Sequence, residues 1–421
     1  MPDQLLTTDQ VAERLGVKPA TVYAYVSRGL LPSRRNAAGK GSLFAKADVD
    51  ALIAGRKRVT PNIQTGITLI KDGGLFYRGH DATALAVEAT YEAVAGLLWT
   101  GELLDEPFTV DEEMAALARR IGSELPPAAR RTDRLRVTVA ALAAADPFRF
   151  DTSPAAVLTT GRTLLATMVA ALPLTPGSAT GTAAASDTGW SPGVPPGCPG
   201  TPGDQPVSLA GLLWPRLTAQ PISGTGRRTL EAALILLADH DMAASTLAAR
   251  IAASTRAHPY AVISAGLAAL DGPLHGAASE QVHPLLAAAL TGTDPIEVIS
   301  DRLRAGGGLP GFGHPLYPSG DPRATALFAL LGDHPVTAAA TRLATAVRTR
   351  SGILPNIDLA LAALTLRYDM PADAGEAIFA VARTAGWLAH ALEEYANRPA
   401  RFRPTGQYSG HPPTTPKNTR V

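Results

Sequence analysis

The sequence predicts a mostly α-helical protein. Alanine and leucine recur at helical spacing along most of the chain, β-branched runs are scarce, and glycine- and proline-rich stretches punctuate the apolar segments. Hydrophobic residues make up 46% and charged residues 18%, a globular composition, and 421 residues suffice for two or three domains with a substantial core. A net charge of +1 excludes polyanion binding by the whole molecule, so any basic patch is local. The single cysteine, Cys198, cannot form an internal disulfide, and no Cys/His cluster suggests a metal; a reducing cytoplasm is the expected location. The opening MPDQLLTTDQ lacks the segments of a secretion signal, and no uncharged apolar run reaches membrane-spanning length, so no membrane association is expected.

In chain order, Thr7 and Thr8 are N-cap candidates for a short helix with Val11 and Leu15 on one face, ended by Gly16. A second helix, Pro19 to Arg28, buries Val22 and Val26 and stops at Gly29. Two short helices across a tight turn read as a helix-turn-helix. A hairpin wing around Ala38-Gly39-Lys40-Gly41 and a third helix from Asp48 follow. The run LTTDQVAERLGVKPATVYAYVSRGLLP resembles the excisionase-type and MerR-type winged helix-turn-helix family over about residues 5–58. Residues 1–58 carry ten Lys/Arg against five Asp/Glu. The resemblance implies that Thr21 and Tyr23 face the major groove and that Arg28, Arg34, Arg35 and Lys40 meet phosphates. A solvated basic face, or a helix-turn-helix kept for protein contacts, is the other reading.

Past Arg56-Lys57-Arg58 the sequence predicts a strand, a turn at Asp72-Gly73-Gly74, a second strand and then helices. The stretch from about Leu174 to Val207 is rich in Pro, Gly, Ser and Thr and cannot bury enough apolar surface to offset its ordering entropy; it reads as a flexible surface insertion.

Several later segments carry polar residues where a helical core has no use for them. Glu231 to Thr255 reads as two helices broken at ADHDMAAST, which brings Asp239, His240, Asp241 and Ser245 to a junction. His275, in GPLHG, precedes a helix whose amide dipoles favour a neutral imidazole. The stretch GGGLPGFGHPLYPSGDPR, residues 306–323, forbids a regular helix yet presents His314 and Arg323; it is either a ligand loop or a surface loop with incidental polar groups. In LPNIDLALAAL, Asn356 caps a helix and Asp358 occupies its first turn, which alone is ordinary capping chemistry. Arg383 interrupts an apolar helix and needs an anionic partner, for which a substrate carboxylate is one candidate. No nucleophile–base dyad, metal-ligand spacing or Walker-type loop stands out. A carboxylate as base, imidazoles for polarisation and arginines for charge fit proton abstraction next to a carbonyl on an anionic substrate.

In this order, DGGLFYRGHDATALA, DHDMAASTLAARIAAST, GPLHG, GFGHPLYPSGDPRA, PNID, ARTAGWLAHALEEY and RPTGQYSG resemble the citrate synthase family from about Thr60 to Gly410, interrupted by the insertion. The resemblance implies a two-domain α-helical homodimer whose domains close on substrate. The division would be residues 59–270 for the large domain (174–207 the insertion), 271–370 for the small domain and 371–421 for the rest of the large domain. It further implies that Asp358 deprotonates the acyl-CoA, that His275, held by Ser245, stabilises the enol oxygen, and that His314 polarises the oxaloacetate ketone. His240, Arg323 and Arg383, with Arg403 of the partner subunit, would bind the oxaloacetate carboxylates. The backbone of Leu309, Pro310, Gly311, Phe312 and Gly313 would recognise the CoA adenine. No permanently bound cofactor is implied; acetyl-CoA or propionyl-CoA is the cosubstrate.

The sequence departs from the family pattern at Leu237, Asp241, Ala243 and Ser279, where histidine, glutamate, asparagine and asparagine are usual, and at Pro315 and Pro318, which stand where basic residues commonly meet CoA phosphates. Loss of such a charge-assisted contact costs roughly 1–3 kcal/mol of CoA affinity. Two functions follow as expectations: condensation of acetyl- or propionyl-CoA with oxaloacetate to citrate or 2-methylcitrate, or a DNA-binding regulator that uses a drifted synthase domain as a metabolite sensor.

Overall fold

The computed structural model describes residues 5–15, 17, 19–27, 31–35, 42–50, 63–178, 208–402 and 410. Arg28, Lys40, Arg403 and residues 179–207 of the expected insertion lie outside the described residues, as does the Arg35 side chain. The chain divides into two compact units, Met1–Gln64 and Thr65–Val421.

In the first unit, helices Thr8–Leu15 and Pro19–Ser27 pack beside a three-stranded antiparallel sheet in the order Leu5–Thr7, Ser42–Ala45, Arg34–Arg35. Thr7 caps the first helix reciprocally: its Oγ1 accepts from Gln10 N, and its own N–H donates to Gln10 Oε1 at 2.9 Å. Leu6, Val11, Leu15, Val22, Leu31, Phe44 and Val49 form a separate small core. The strand Leu5–Thr7 was not expected from the sequence, and the third helix is already under way at residues 46–50 rather than starting at Asp48. Tyr23 is 50% exposed, Arg34 is exposed, and Thr21 is half-buried.

Among the described residues the second unit is helical apart from a three-stranded meander, Thr68–Lys71, Gly74–Tyr77 and His80–Asp81. Its centre is helix Ala374–Ala396, about 35 Å long at 1.5 Å per residue. Alanines dominate it and proline is absent, so propensity and burial agree. It packs against helices Tyr91–Thr100, Pro154–Ala170, Gly224–Leu237, Ala244–Ser254 and Pro259–Leu270. Gly386 permits the closest of these approaches: a Cβ there would lie 2.4 Å from Ala238 O, and Gly386 N–H donates to that same oxygen at 3.1 Å. Glu376, Arg383, His390 and Glu394 are nevertheless buried on this helix, which marks it as a polar-threaded core element. Among the described residues no helix is long and apolar enough to cross a membrane. At the start of the expected insertion the chain is anchored, with Thr175 N–H donating to Pro215 O at 2.9 Å.

Candidate active site

Four breaks between helices deliver the polar side chains to one region of the second unit. The first follows helix Gly224–Leu237. Asp241 takes φ 51°, a left-handed conformation that turns the chain immediately after His240 before helix Ala244–Ser254 begins. Tyr77 pins this turn by donating towards the Ile235 and Asp239 carbonyls, both at 3.0 Å. His240 is 7% exposed, and its Nε2 lies 2.9 Å from Tyr317 Oη.

The second break, Asp271–Ala277, holds His275 ahead of helix Ala278–Leu290. His275 Nε2 lies 2.8 Å from Ser245 Oγ, and Trp387 Nε1 donates to the same Oγ at 3.3 Å. Trp387 occupies one of the two acceptor positions on Ser245; the hydroxyl can still donate to His275 Nε2 or accept from it, and donation leaves the imidazole's own proton on Nδ1. Burial, then Arg383, pushes His275 down to about 4, so the ring is neutral at physiological pH.

The third and fourth breaks are laced together. Gly313 N–H donates to Leu354 O at 2.8 Å, Asn356 N–H to Gly311 O at 2.9 Å, and Asn356 Nδ2 to Gly313 O at 3.0 Å. Gly311 is required here: at φ 85° a side chain is strained, and a Cβ would meet Val282 Cγ2 at 2.9 Å. Asn356 Oδ1 also accepts from Asp358 N at 3.0 Å, capping helix Ile357–Arg367. One asparagine therefore ties the loop before His314 to the helix start that carries Asp358. His314 packs edge-on to His240, with ring centroids 5.0 Å apart, and tilted against Tyr317 at 5.0 Å. Burial and then Arg323 lower both histidines. A cavity of about 230 Å³ adjoins this loop, bordered by His314, Tyr317, Asp321 and residues 351–355.

Asp358 is partly exposed, and among the described residues its carboxylate has no hydrogen-bond donor. Burial raises it to about 7; Asp321 pushes the same way and Arg323 opposes. The helix N-terminus would favour the anion by about 0.3–1 kcal/mol, less than the several pH units that desolvation commands. Desolvation wins, giving a carboxylate that takes up a proton near neutrality.

The two arginines differ. Arg323 is already forked onto a protein carboxylate, with Nε to Asp321 Oδ1 at 3.0 Å and Nη2 to Oδ2 at 2.8 Å. Asp321 also accepts from Arg323 N and Ile357 N, both at 3.0 Å. A substrate carboxylate at Arg323 would meet a guanidinium whose Nε and Nη2 are already held by Asp321. Among the described residues Arg383 uses only Nε, towards Leu237 O at 2.7 Å; Nη1 and Nη2 are buried without a partner there. Its Cζ lies 4.7 Å from the centre of the Phe379 ring, which His275 contacts edge-on at 5.6 Å.

The structure thus brings His240, His314, Arg323 and Tyr317 together, and sets His275, Ser245, Arg383 and Phe379 together beside them. Asp358 and Leu309–Gly313 join through Asn356 and Asp321. Tyr317, Asp321, Phe379 and Trp387 had no role in the sequence reading. Only Asp321 carried a local signal, as an N-cap aspartate directly before a proline at the helix start.

The profile of the family "Citrate synthase, C-terminal domain" matches residues 57–405, and that of a helix-turn-helix domain matches residues 5–57. The chain is 30% identical over 366 residues to a citrate synthase of Haloferax volcanii, covering 80% of this chain and 90% of that one. It is 30% identical over 356 residues to 2-methylcitrate synthase 2 of Corynebacterium glutamicum, covering 80% and 88%. Among solved structures, citrate synthase of Thermotoga maritima superposes with a TM-score of 0.62 at 25% identity, over 87% of this chain and 99% of that one. The fold also matches citrate synthase of Thermoplasma acidophilum in a ternary complex with carboxymethyl coenzyme A and oxaloacetate, with a TM-score of 0.65 at 23% identity over 86% and 97%. With a matched region that spans most of its length, the chain belongs to the citrate synthase family, as an acyltransferase-type enzyme preceded by a helix-turn-helix domain.

Proposed function

We propose that the protein condenses acetyl-CoA or propionyl-CoA with oxaloacetate, releasing CoA and citrate or 2-methylcitrate. The observation that carries this reading is the convergence at the helix breaks of His240 and His314 with Tyr317 and Arg323, joined through Asp321 and Asn356 to the helix start that holds Asp358, which burial raises to about 7. A carboxylate that accepts a proton near neutrality and a neutral imidazole at His275, whose Nδ1 carries the proton when Ser245 donates to Nε2, are what deprotonation beside a thioester carbonyl requires. Asp358 takes the proton from the acyl α-carbon while His275 Nδ1–H donates to the developing enol oxygen. The α-carbon then forms a bond to the oxaloacetate ketone carbon, and the ketone oxygen, polarised by His314, takes up a proton. Water finally cleaves the thioester. Arg383, with two partner-free Nη groups, receives one substrate carboxylate; His240, Arg323 and Arg403 of the partner subunit complete the binding in a homodimer. The backbone of Leu309–Gly313 meets the CoA adenine, and residues 271–370 close as a small domain over the rest. The enzyme would act in the cytoplasm.

A thiol-release assay with oxaloacetate and each acyl-CoA tests this. The reading requires oxaloacetate-dependent thiol release with at least one of them; none with either would remove it.

The helix-turn-helix match supports a second activity for the first unit. Tyr23 stands exposed on its second helix, where DNA contact through Thr21, Tyr23, Arg28, Arg34, Arg35 and Lys40 would occur, and the synthase domain would then sense metabolites for a regulator. A gel shift against the gene's own upstream region at two salt concentrations tests it: binding that weakens with salt supports it, and no binding at low salt removes it.

A further inference from the structure

Asp239 precedes His240 and is completely buried, yet it appears nowhere in the chemistry above. Its Oδ2 accepts from Thr68 Oγ1 at 2.5 Å and lies 3.3 Å from His390 Nε2. Its Oδ1 is buried and, among the described residues, without a hydrogen-bond partner. That oxygen lies against Gly386, where a Cβ would approach it to 2.6 Å; Gly386 is one turn along the same helix from Arg383. Arg383, 1% exposed, holds two buried Nη groups equally without partners. The largest attraction on its charge comes from Asp239. Two opposite charges are thus buried on the same pair of elements without a bond between them, Arg383 donating through Nε to Leu237 O and Asp239 lying against Gly386, whereas Arg323 gives both Nε and Nη2 to Asp321.

Asp239 is tethered through Oδ2. Arg250 Nη1 lies 2.6 Å from His390 Nδ1, and arginine only donates, so Nδ1 accepts and the ring proton is on Nε2, directed at Asp239 Oδ2. Arg250 is fixed in turn by Glu394 at 2.6 Å and Glu393 at 2.7 Å. Thr68, on the meander, supplies the second donor. Both donors engage Oδ2, which leaves Oδ1 without a bond.

Resting on the oxaloacetate reading above, we infer that Asp239 is a positioning residue: it is the counter-ion of Arg383, tethered by Thr68 and His390 so that it neutralises the guanidinium without occupying the Nη donors a substrate carboxylate takes. A buried arginine without a counter-charge is strongly unfavourable, while one clamped by a carboxylate must be released before it binds another. The tether meets both demands.

Thr68→Val keeps the shape of the side chain and removes its hydroxyl, freeing Asp239 to rotate onto Arg383; Thr68→Ser retains the hydroxyl. Oxaloacetate affinity is measured by calorimetry on the full chain, alongside KM and kcat. The expected result is a Kd and KM for oxaloacetate raised about tenfold in Thr68→Val, about 1.4 kcal/mol, with kcat at saturation little changed and Thr68→Ser near the unsubstituted protein. A purely structural role would lower the melting temperature and leave Kd alone. Should Thr68→Val not fold, His390→Leu against His390→Gln gives the same contrast, because glutamine can accept from Arg250 and donate to Asp239. Equal affinity across either set overturns the inference alone. An unsubstituted protein that binds no oxaloacetate overturns the functional reading, and the inference with it.

Discussion

Replacing Asp358 with asparagine separates the chemistry of that position from its packing, since the two side chains match in size. In the unfolded chain the carboxyl ionises at its ordinary 3.8; in the folded chain it ionises at about 7 because burial penalises the anion. Between those values the unfolded chain has released a proton that the folded chain keeps. The native protein therefore loses stability as the pH rises through that window and loses no more above it. The penalty is at most about 4 kcal/mol near pH 8 and about 2 kcal/mol near pH 5, reduced to the extent that water reaches the partly exposed carboxylate. Asp358→Asn removes it, so the variant should be more stable than the natural protein, by an amount that grows from pH 4 to pH 7 and then levels off. Urea denaturation at pH 4, 5, 7 and 8 reads this directly. The same substitution removes the base, so kcat should fall by about 10²–10⁴-fold. In the natural protein kcat/KM should rise with pH through a midpoint near 7. A variant less stable at pH 8, a difference independent of pH, or near-normal turnover would refute the reasoning.

Ser245→Ala removes the atom shared by His275 and Trp387; kcat should drop about 10–100-fold with oxaloacetate KM little changed, measured by steady-state kinetics. Asn356→Ala breaks the cap on Asp358 N and the bond to Gly313 O, and denaturation should report a loss of about 1–3 kcal/mol.

Much of the candidate site was legible because its residues sit where helices break. His240 lies in ADHDMAAST, His275 in GPLHG and His314 in GFGHP; each local sequence stops a helix by its own glycine, proline or polar residues. Asn356 and Asp358 announced a helix start in the same way. Arg383 was conspicuous as a charge inside an apolar run, and its two partner-free Nη groups fit that signal. What was not legible depends on residues far apart in the chain. Asp239 meets His390 after 151 residues and Thr68 after 171, so no local pattern encodes their contact. The strand Leu5–Thr7 exists through pairing with Ser42–Ala45, and three residues show no alternation of their own. For Arg323 the unread feature was local instead. Its partner, Asp321, is only two residues away, and the capping signal of that aspartate concealed its second role as the guanidinium's clamp.

The most direct test of the account is a crystal structure of the full chain grown with oxaloacetate. It should show one substrate carboxylate on Arg383 Nη1 and Nη2, the ketone oxygen facing His314, and the Asp358 carboxylate left open for the acyl-CoA. Oxaloacetate bound away from Arg383 and His314, or no oxaloacetate bound at saturating concentration, would contradict it.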